Sequence, residues 1–178
     1  MDTRNRRNNL FLVGLSATGK TTIGKIVATM LNYEFVDSDA EIEERTGVRV
    51  SWIFELEGES KFRDRESAVL KDITRRSRIV LATGGGIVLR EANRALLRSR
   101  GWVACLTSST EELARRAGSS QTRPLLQRGE SIEETFFEME RERRPLYENV
   151  SDITFKTFGE DKRALARDIV AWYRKVSK

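Results

Sequence analysis

The chain has 178 residues, 39% hydrophobic and 33% charged, which fits one soluble domain with a core of its own and excludes a disordered polymer. No apolar run approaches the roughly 20 residues of a membrane-spanning helix. Lysine and arginine outnumber the acids 32 to 27, and histidine is absent, which excludes a Ser-His-Asp triad, a histidine base and a histidine metal site.

Met1 to Asn9 is basic and reads as a short exposed tail, since the apolar stretch after it is too short for a signal-peptide core. That stretch, Leu10 to Val13, reads as a buried strand, and it runs into Gly14-Leu15-Ser16-Ala17-Thr18-Gly19-Lys20-Thr21. This is the phosphate-binding pattern G-x-x-x-x-G-K-[ST], placed between a strand and a helix expected near 20–31. The glycines let successive backbone N–H groups turn inward toward an anion, and the helix adds the positive end of its dipole. Lys20 supplies a charge for the outer phosphates and Thr21 a hydroxyl oxygen for Mg²⁺.

A second strand, Glu34–Val36, ends at Asp37-Ser38-Asp39. Two carboxylates just past a strand end suit metal support and alignment of a hydroxyl nucleophile. A helix cap made by Ser38 or Asp39 is the plainer alternative. The charged segment 38–58 interrupts the strand–helix rhythm, and insertions at this edge of a sheet are where an acceptor pocket sits. In the helix expected over 59–76, Arg63 and Glu66 lie three apart and can pair, which would preorganise a guanidinium for a carboxylate. Phe54 and Phe62 read as core. The third strand, Ile79–Ala82, leads into Thr83-Gly84-Gly85-Gly86, where no side chain keeps a ligand from the backbone.

Helices are expected near 91–99 and 109–117, around a strand Val103–Leu106 whose Cys105 reads as a buried, unreactive thiol suited to a reducing compartment. Residues 118–130 are polar and carry Arg123-Pro124-Leu125-Leu126, an arginine suited to reach a transferring phosphoryl from a closing lid. A helix over 131–147 ends on Arg143-Arg144-Pro145-Leu146-Tyr147. Arg143 there either grips a second anionic group or merely complements a solvated helix end. A fifth strand, Ile153–Phe155, and a helix over 160–176 close the chain. The alternation implies an α/β fold: three layers, with a central five-stranded parallel sheet flanked by helices, in one domain over residues 1–178. The positive charge reads as a pocket for small anions, because the arginines form no long run and no nucleic-acid motif is present.

The ordered set of phosphate loop, Asp-Ser-Asp, Gly-Glu-x-x-Phe-Arg-x-x-Glu, Thr-Gly-Gly-Gly, Arg-Pro-Leu-Leu and Arg-x-Pro-Leu-Tyr closely resembles the shikimate kinases, over about residues 9–175. The resemblance implies ATP-dependent phosphorylation of the 3-hydroxyl of shikimate, with Mg²⁺, on the route to chorismate and the aromatic amino acids. By it, Gly14, Ala17, Thr18, Gly19, Lys20, Thr21 and Thr22 hold the ATP phosphates, and Thr21 and Asp37 serve the metal. Asp39 holds the shikimate hydroxyls and is the expected base. Arg63, oriented by Glu66, and Arg143 bind the shikimate carboxylate, with Gly84, Gly85 and Gly86 lining the pocket. The acceptor segment spans about 38–66 and the lid about 117–130, where Arg123 reaches the phosphates; Arg116 matches a position that packs on adenine. A cytoplasmic monomer, with no nucleic-acid or membrane partner, is the accompanying expectation.

The chain departs from the family pattern at Ala17, where many members have glycine, and at Thr21, where many have serine. A Cβ at Ala17 makes a strongly positive φ costly. Glu160 is acidic at a position that lies near adenine in relatives. Two alternatives stay open on sequence grounds: a kinase for another small polyol or acid such as gluconate, and a nucleotide-binding relative without turnover.

Overall fold

The computed structural model describes residues 8–118, 131–157 and 161–178. The strands are β1 (Leu10–Val13), β2 (Glu34–Asp37), β3 (Ile79–Ala82), β4 (Trp102–Thr107) and β5 (Ile153–Lys156). They form one sheet in the order β2-β3-β1-β4-β5, and every pairing is parallel. The register sets Phe11 opposite both Leu81 and Val103.

β1 lies at the centre and is buried throughout. Its residues alternate between two cores, as the strand period of two requires. Phe11 and Val13 enter one core with Leu81 and Val103, while Leu10 and Leu12 enter the other with Val80 and Ala104. The second core is closed by α1 (Lys20–Leu31) and α7 (Lys162–Val176), through Ile23, Val27, Ile169 and Tyr173. The first is closed by α2 (Ser38–Thr46), α3 (Val50–Ile73), α4 (Glu91–Arg100), α5 (Thr110–Ala117) and α6 (Ile132–Val150), through Ile42, Leu70, Leu97, Leu113 and Phe136. Each such side chain contributes about 1.5–3 kcal/mol on leaving water. These two cores sandwich the sheet into three layers.

The five expected strands all form. The helical expectations are refined in three places: segment 38–58, the start of α3 and the end of α6. The segment 38–58 is itself largely helical, with α2 and the first half of α3 occupying most of it. Gly58, at φ 81° and ψ 169°, breaks α3 and so hides its first half from the sequence pattern. That half lacks a cap of its own, and the Glu43 carboxylate of α2 supplies one by accepting from the Val50 N–H at 2.9 Å. Third, α6 does not stop at Tyr147 but runs through Pro145 to Val150. Pro145 lies on the exposed side of the helix, where water can satisfy the carbonyl it leaves unbonded. Arg143 is therefore a buried mid-helix residue, and the solvated helix-end reading is wrong.

Chain order explains where a site falls. After β1 the chain moves to the outer strand β2, then returns to β3, which pairs β1 on that side; after β3 it crosses to β4 on the other. The loops leaving β1 and β3 thus part in opposite directions, and the crevice between their carboxyl ends is where such sheets bind ligands.

Candidate active site

Gly14 leaves β1 at φ 137°, and a Cβ there would lie 2.2 Å from the Leu106 carbonyl oxygen of β4. Only glycine fits both the dihedral and the contact. Gly19, at φ 91°, turns the chain into α1. Between them Ala17 adopts φ 66°, so the one non-glycine of concern does take the left-handed conformation, at about 1–2 kcal/mol. The Lys20 ammonium folds back over the loop, donating to the carbonyls of Gly14 at 2.8 Å and Leu15 at 2.7 Å. Thr18 donates to the same Leu15 carbonyl at 2.9 Å. The loop is thus held in its cradle shape by its own lysine.

Thr21 and Asp37 meet directly. The Thr21 hydroxyl donates to one Asp37 oxygen at 2.7 Å. The other oxygen caps α2, accepting from the N–H of Asp39 at 3.0 Å and of Ala40 at 3.4 Å. The cap that sequence assigned to Ser38 or Asp39 is made by Asp37, which joins the two readings in one residue. The neighbouring side chains point elsewhere: Ser38 Oγ accepts from the Gly84 N–H at 2.9 Å, and Asp39 lines the cleft beside Gly84.

The glycines of the loop after β3 line the cleft, as expected. They also bring the protein's own working groups close to the backbone. A Cβ on Gly84 would lie 2.8 Å from Asp39 Oδ1 and 2.9 Å from Glu66 Oε1; on Gly85, 3.2 Å from the Ser16 amide nitrogen; on Gly86, 2.2 Å from Arg63 Nη2. Three consecutive Cα positions are thus covered by two carboxylates, the phosphate loop and a guanidinium.

Arg63 is held for bidentate work. Nη1 donates to Glu66 Oε2 at 2.8 Å, Nη2 to Glu59 Oε1 at 3.2 Å, and the guanidinium carbon stands 5.2 Å and 5.8 Å from the centroids of the Phe62 and Phe54 rings. Phe62 is a core residue as expected, Phe54 is partly buried against that core, and both wall this cation. The Glu66 side chain is wholly inaccessible, and its Oε1 has no hydrogen-bond partner among the described residues. Burial pushes the Glu66 carboxyl above the usual carboxylate range; Arg63 pulls it back, and neighbouring Asp39 adds to the rise. Arg143 is buried too, and its Nε has no hydrogen-bond partner among the described residues. Two buried guanidiniums meet at this end of the cleft, where an incoming carboxylate could accept charge-assisted hydrogen bonds from both.

One cleft of about 1210 Å³ joins both ends, from the phosphate loop past Asp37 and Asp39 to Arg63, Gly86 and Arg143. It exceeds the roughly 300–1,000 Å³ of a single small-molecule pocket. Thr22 lines it, as does Arg116 on the far side. Arg116 is anchored by Glu112 at 2.7 Å and reaches the carbonyls of Thr157 at 3.2 Å and Ala17 at 3.4 Å. Arg123, most of the expected lid and Glu160 lie outside the described residues. Ser38, Glu59 and Tyr147 stand inside motifs read from sequence but received no role at the site there; Glu59 sits one turn before Arg63, a spacing at which pairing is ordinary.

A sequence model of the shikimate kinase family matches residues 16–174. The chain belongs to the shikimate kinase family. Among curated family members, the shikimate kinase of Vibrio parahaemolyticus is 46% identical over 92% of this chain and 95% of its own length. That of Haemophilus influenzae is 44% identical over 92% and 91%. The structure of Acinetobacter baumannii shikimate kinase in complex with shikimate superposes with a TM-score of 0.91 at 41% identity, over 96% of this chain and 95% of that one. A gluconokinase from Sinorhizobium meliloti reaches a TM-score of 0.58 at 15% identity, a likeness of fold alone.

Proposed function

We propose that the chain transfers the γ-phosphoryl of ATP to the 3-hydroxyl of shikimate, with this cleft as its active site. The observation that carries the assignment of roles is the glycine strip, which sets a carboxylate, the phosphate loop and a guanidinium on three successive Cα positions.

In this reading the phosphates lie in the loop Gly14–Thr21, against its inward N–H groups and the N-terminus of α1. Lys20 exchanges its two loop carbonyls for phosphate oxygens. Thr21 and Asp37 offer adjacent hydroxyl and carboxylate oxygens, the hard donor set that Mg²⁺ takes in few numbers when phosphates complete its shell. Magnesium, when bound, supplies charge neutralisation at the β- and γ-phosphates. The shikimate carboxylate lies between Arg63 and Arg143, which leaves the ring hydroxyls facing Asp39. Asp39 aligns the 3-hydroxyl and takes its proton; late transfer suffices if the transition state is loose. Arg116 is assigned to the adenine side. Arg123 is assigned to the transferring phosphoryl on sequence resemblance alone. The chain is proposed to act as a cytoplasmic monomer, and light scattering of the purified protein tests the second half of that statement.

ADP release from ATP and Mg²⁺, measured with and without shikimate, tests the function. Release that depends on shikimate and not on gluconate is expected. Folded protein that releases no ADP in response to shikimate refutes it.

A further inference from the structure

Tyr147 is the member of the Arg-x-Pro-Leu-Tyr motif left without a task. It stands one helical turn after Arg143, on the same buried face of α6. Its ring belongs to the core beneath β1 and β3. Its hydroxyl donates to the Gly85 carbonyl, in the middle of the glycine strip. Burial pushes its phenol far above the ordinary range, against the pull of the nearby Arg143 charge. The hydroxyl is therefore a permanent donor, not an acid.

Gly85 is the residue of the strip that rests on the phosphate loop, 3.2 Å from the Ser16 nitrogen by the Cβ measure. Its neighbours carry the acceptor groups: Asp39 and Glu66 against Gly84, Arg63 against Gly86. Among the described residues, two side-chain hydrogen bonds tie the strip to its surroundings, Gly84 N–H to Ser38 Oγ at one end and Tyr147 O–H to the Gly85 carbonyl at the centre. Ser38 fixes the strip to the strand end that carries Asp37 and Asp39. Tyr147 fixes it to the helix that carries Arg143.

We infer that Tyr147 is a positioning residue that sets the acceptor carboxylate site against the phosphate loop, by holding the Gly85 carbonyl on the helix that bears Arg143. It touches neither substrate. Without its hydroxyl, the Gly85 carbonyl loses its hydrogen bond to α6, and the strip and Arg143 move independently. Displacements of about 1 Å at this distance from the chemistry can cost about 100-fold in rate.

The inference rests on the proposed shikimate reaction, so wild-type protein is assayed in parallel. Tyr147→Phe keeps the ring and removes the oxygen. The expected result is a five- to fifty-fold rise in KM for shikimate with a smaller fall in kcat. The KM for ATP, and the thermal shift produced by ADP alone, should stay within two-fold of wild type. A merely structural tyrosine would move both substrates' constants together, or neither. Equal changes in the two KM values, or an unchanged shikimate KM in a folded variant, overturn the inference. If Tyr147→Phe does not fold, Ser38→Thr, which retains the hydroxyl acceptor but crowds the same strip, must raise the shikimate KM selectively; failure to do so also overturns it. Wild-type protein without shikimate-dependent ADP release would instead overturn the functional reading beneath it.

Discussion

Gly86→Ala isolates the contact on which the acceptor site depends. Gly86 has φ −96° and ψ 2°, which an alanine adopts without strain, so any effect comes from the added methyl group. That methyl would lie 2.2 Å from Arg63 Nη2 and 2.3 Å from both Cζ and Nη1. Ordinary contact begins at 3.4 Å, so the guanidinium must retreat by about 1.2 Å, the difference of the two. It has little room to do so, walled by Phe54 and Phe62 and bonded to Glu66 at 2.8 Å. Breaking a buried pair by disturbing one partner costs about 3–5 kcal/mol, and partial retention of the Glu66 bond brings the expected loss of stability nearer 2 kcal/mol. A ligand carboxylate that loses alignment with a bidentate arginine forfeits charge-assisted bonds of about 1.5–3 kcal/mol each. Roughly 100-fold lower kcat/KM for shikimate follows, since about 1.4 kcal/mol is a factor of ten. The KM for ATP should change by less than two-fold, because Lys20 and Thr21 lie on the other side of the strip. Coupled ADP detection at varied shikimate, with thermal melting alongside, reads both effects. A folded Gly86→Ala protein with wild-type shikimate KM would show that Arg63 does not hold the substrate carboxylate.

Other perturbations address the remaining parts of the site. Asp39→Asn should lower kcat by about 10²–10⁴, the range for loss of a general base, while ADP binding measured by calorimetry stays near normal; full activity would remove Asp39 from that role. Ala17→Gly should relieve the left-handed strain of about 1–2 kcal/mol, offset by about 0.4–1 kcal/mol of extra chain freedom when unfolded. The melting temperature should therefore rise by about 2 °C, and a fall would show that the methyl group's packing outweighs its strain. Cys105 is held protonated by burial, its thiol pushed up to about 11 from 9.0. An acid whose folded pKa is raised costs nothing while the unfolded chain is also protonated, so stability declines as pH rises from about 9 to about 11. Cys105→Ala should flatten that decline in urea titrations, and native protein at pH 8 should react with a thiol reagent far more slowly than unfolded protein.

Sequence legibility follows the range over which each determinant acts. The strands were legible because β1, β3 and β4 are buried on both faces and read as unbroken apolar runs. The phosphate loop was legible because its demands are local: a left-handed Gly14, a left-handed Gly19 and the lysine that follows. The start of α3 was not, because its cap comes from Glu43 of another helix and its continuity is broken at Gly58. The extent of α6 is not legible because proline ordinarily ends a helix, whereas here the packing of the residues beyond it, Tyr147 and Val150, carries the helix on through Pro145.

The acceptor site divides along the same line. Arg63 with Glu66 could be paired from sequence because three residues on a helix are neighbours. That Gly84, Gly85 and Gly86 carry Asp39, Ser16 and Arg63 on their backbones could not, since those contacts join four separate segments. The distinction bears on how the site tolerates change. A glycine kept for a ligand would admit a small methyl group at the expense of affinity for that ligand alone. A glycine that seats a catalytic group converts the same methyl group into a displacement of the enzyme's own machinery, before any substrate arrives. Each position of the strip should therefore fail in its own way: Gly84 through Asp39 and turnover, Gly85 through the phosphate loop and ATP, Gly86 through Arg63 and shikimate. One common defect across all three alanine variants would show instead that the strip serves only as a ligand surface.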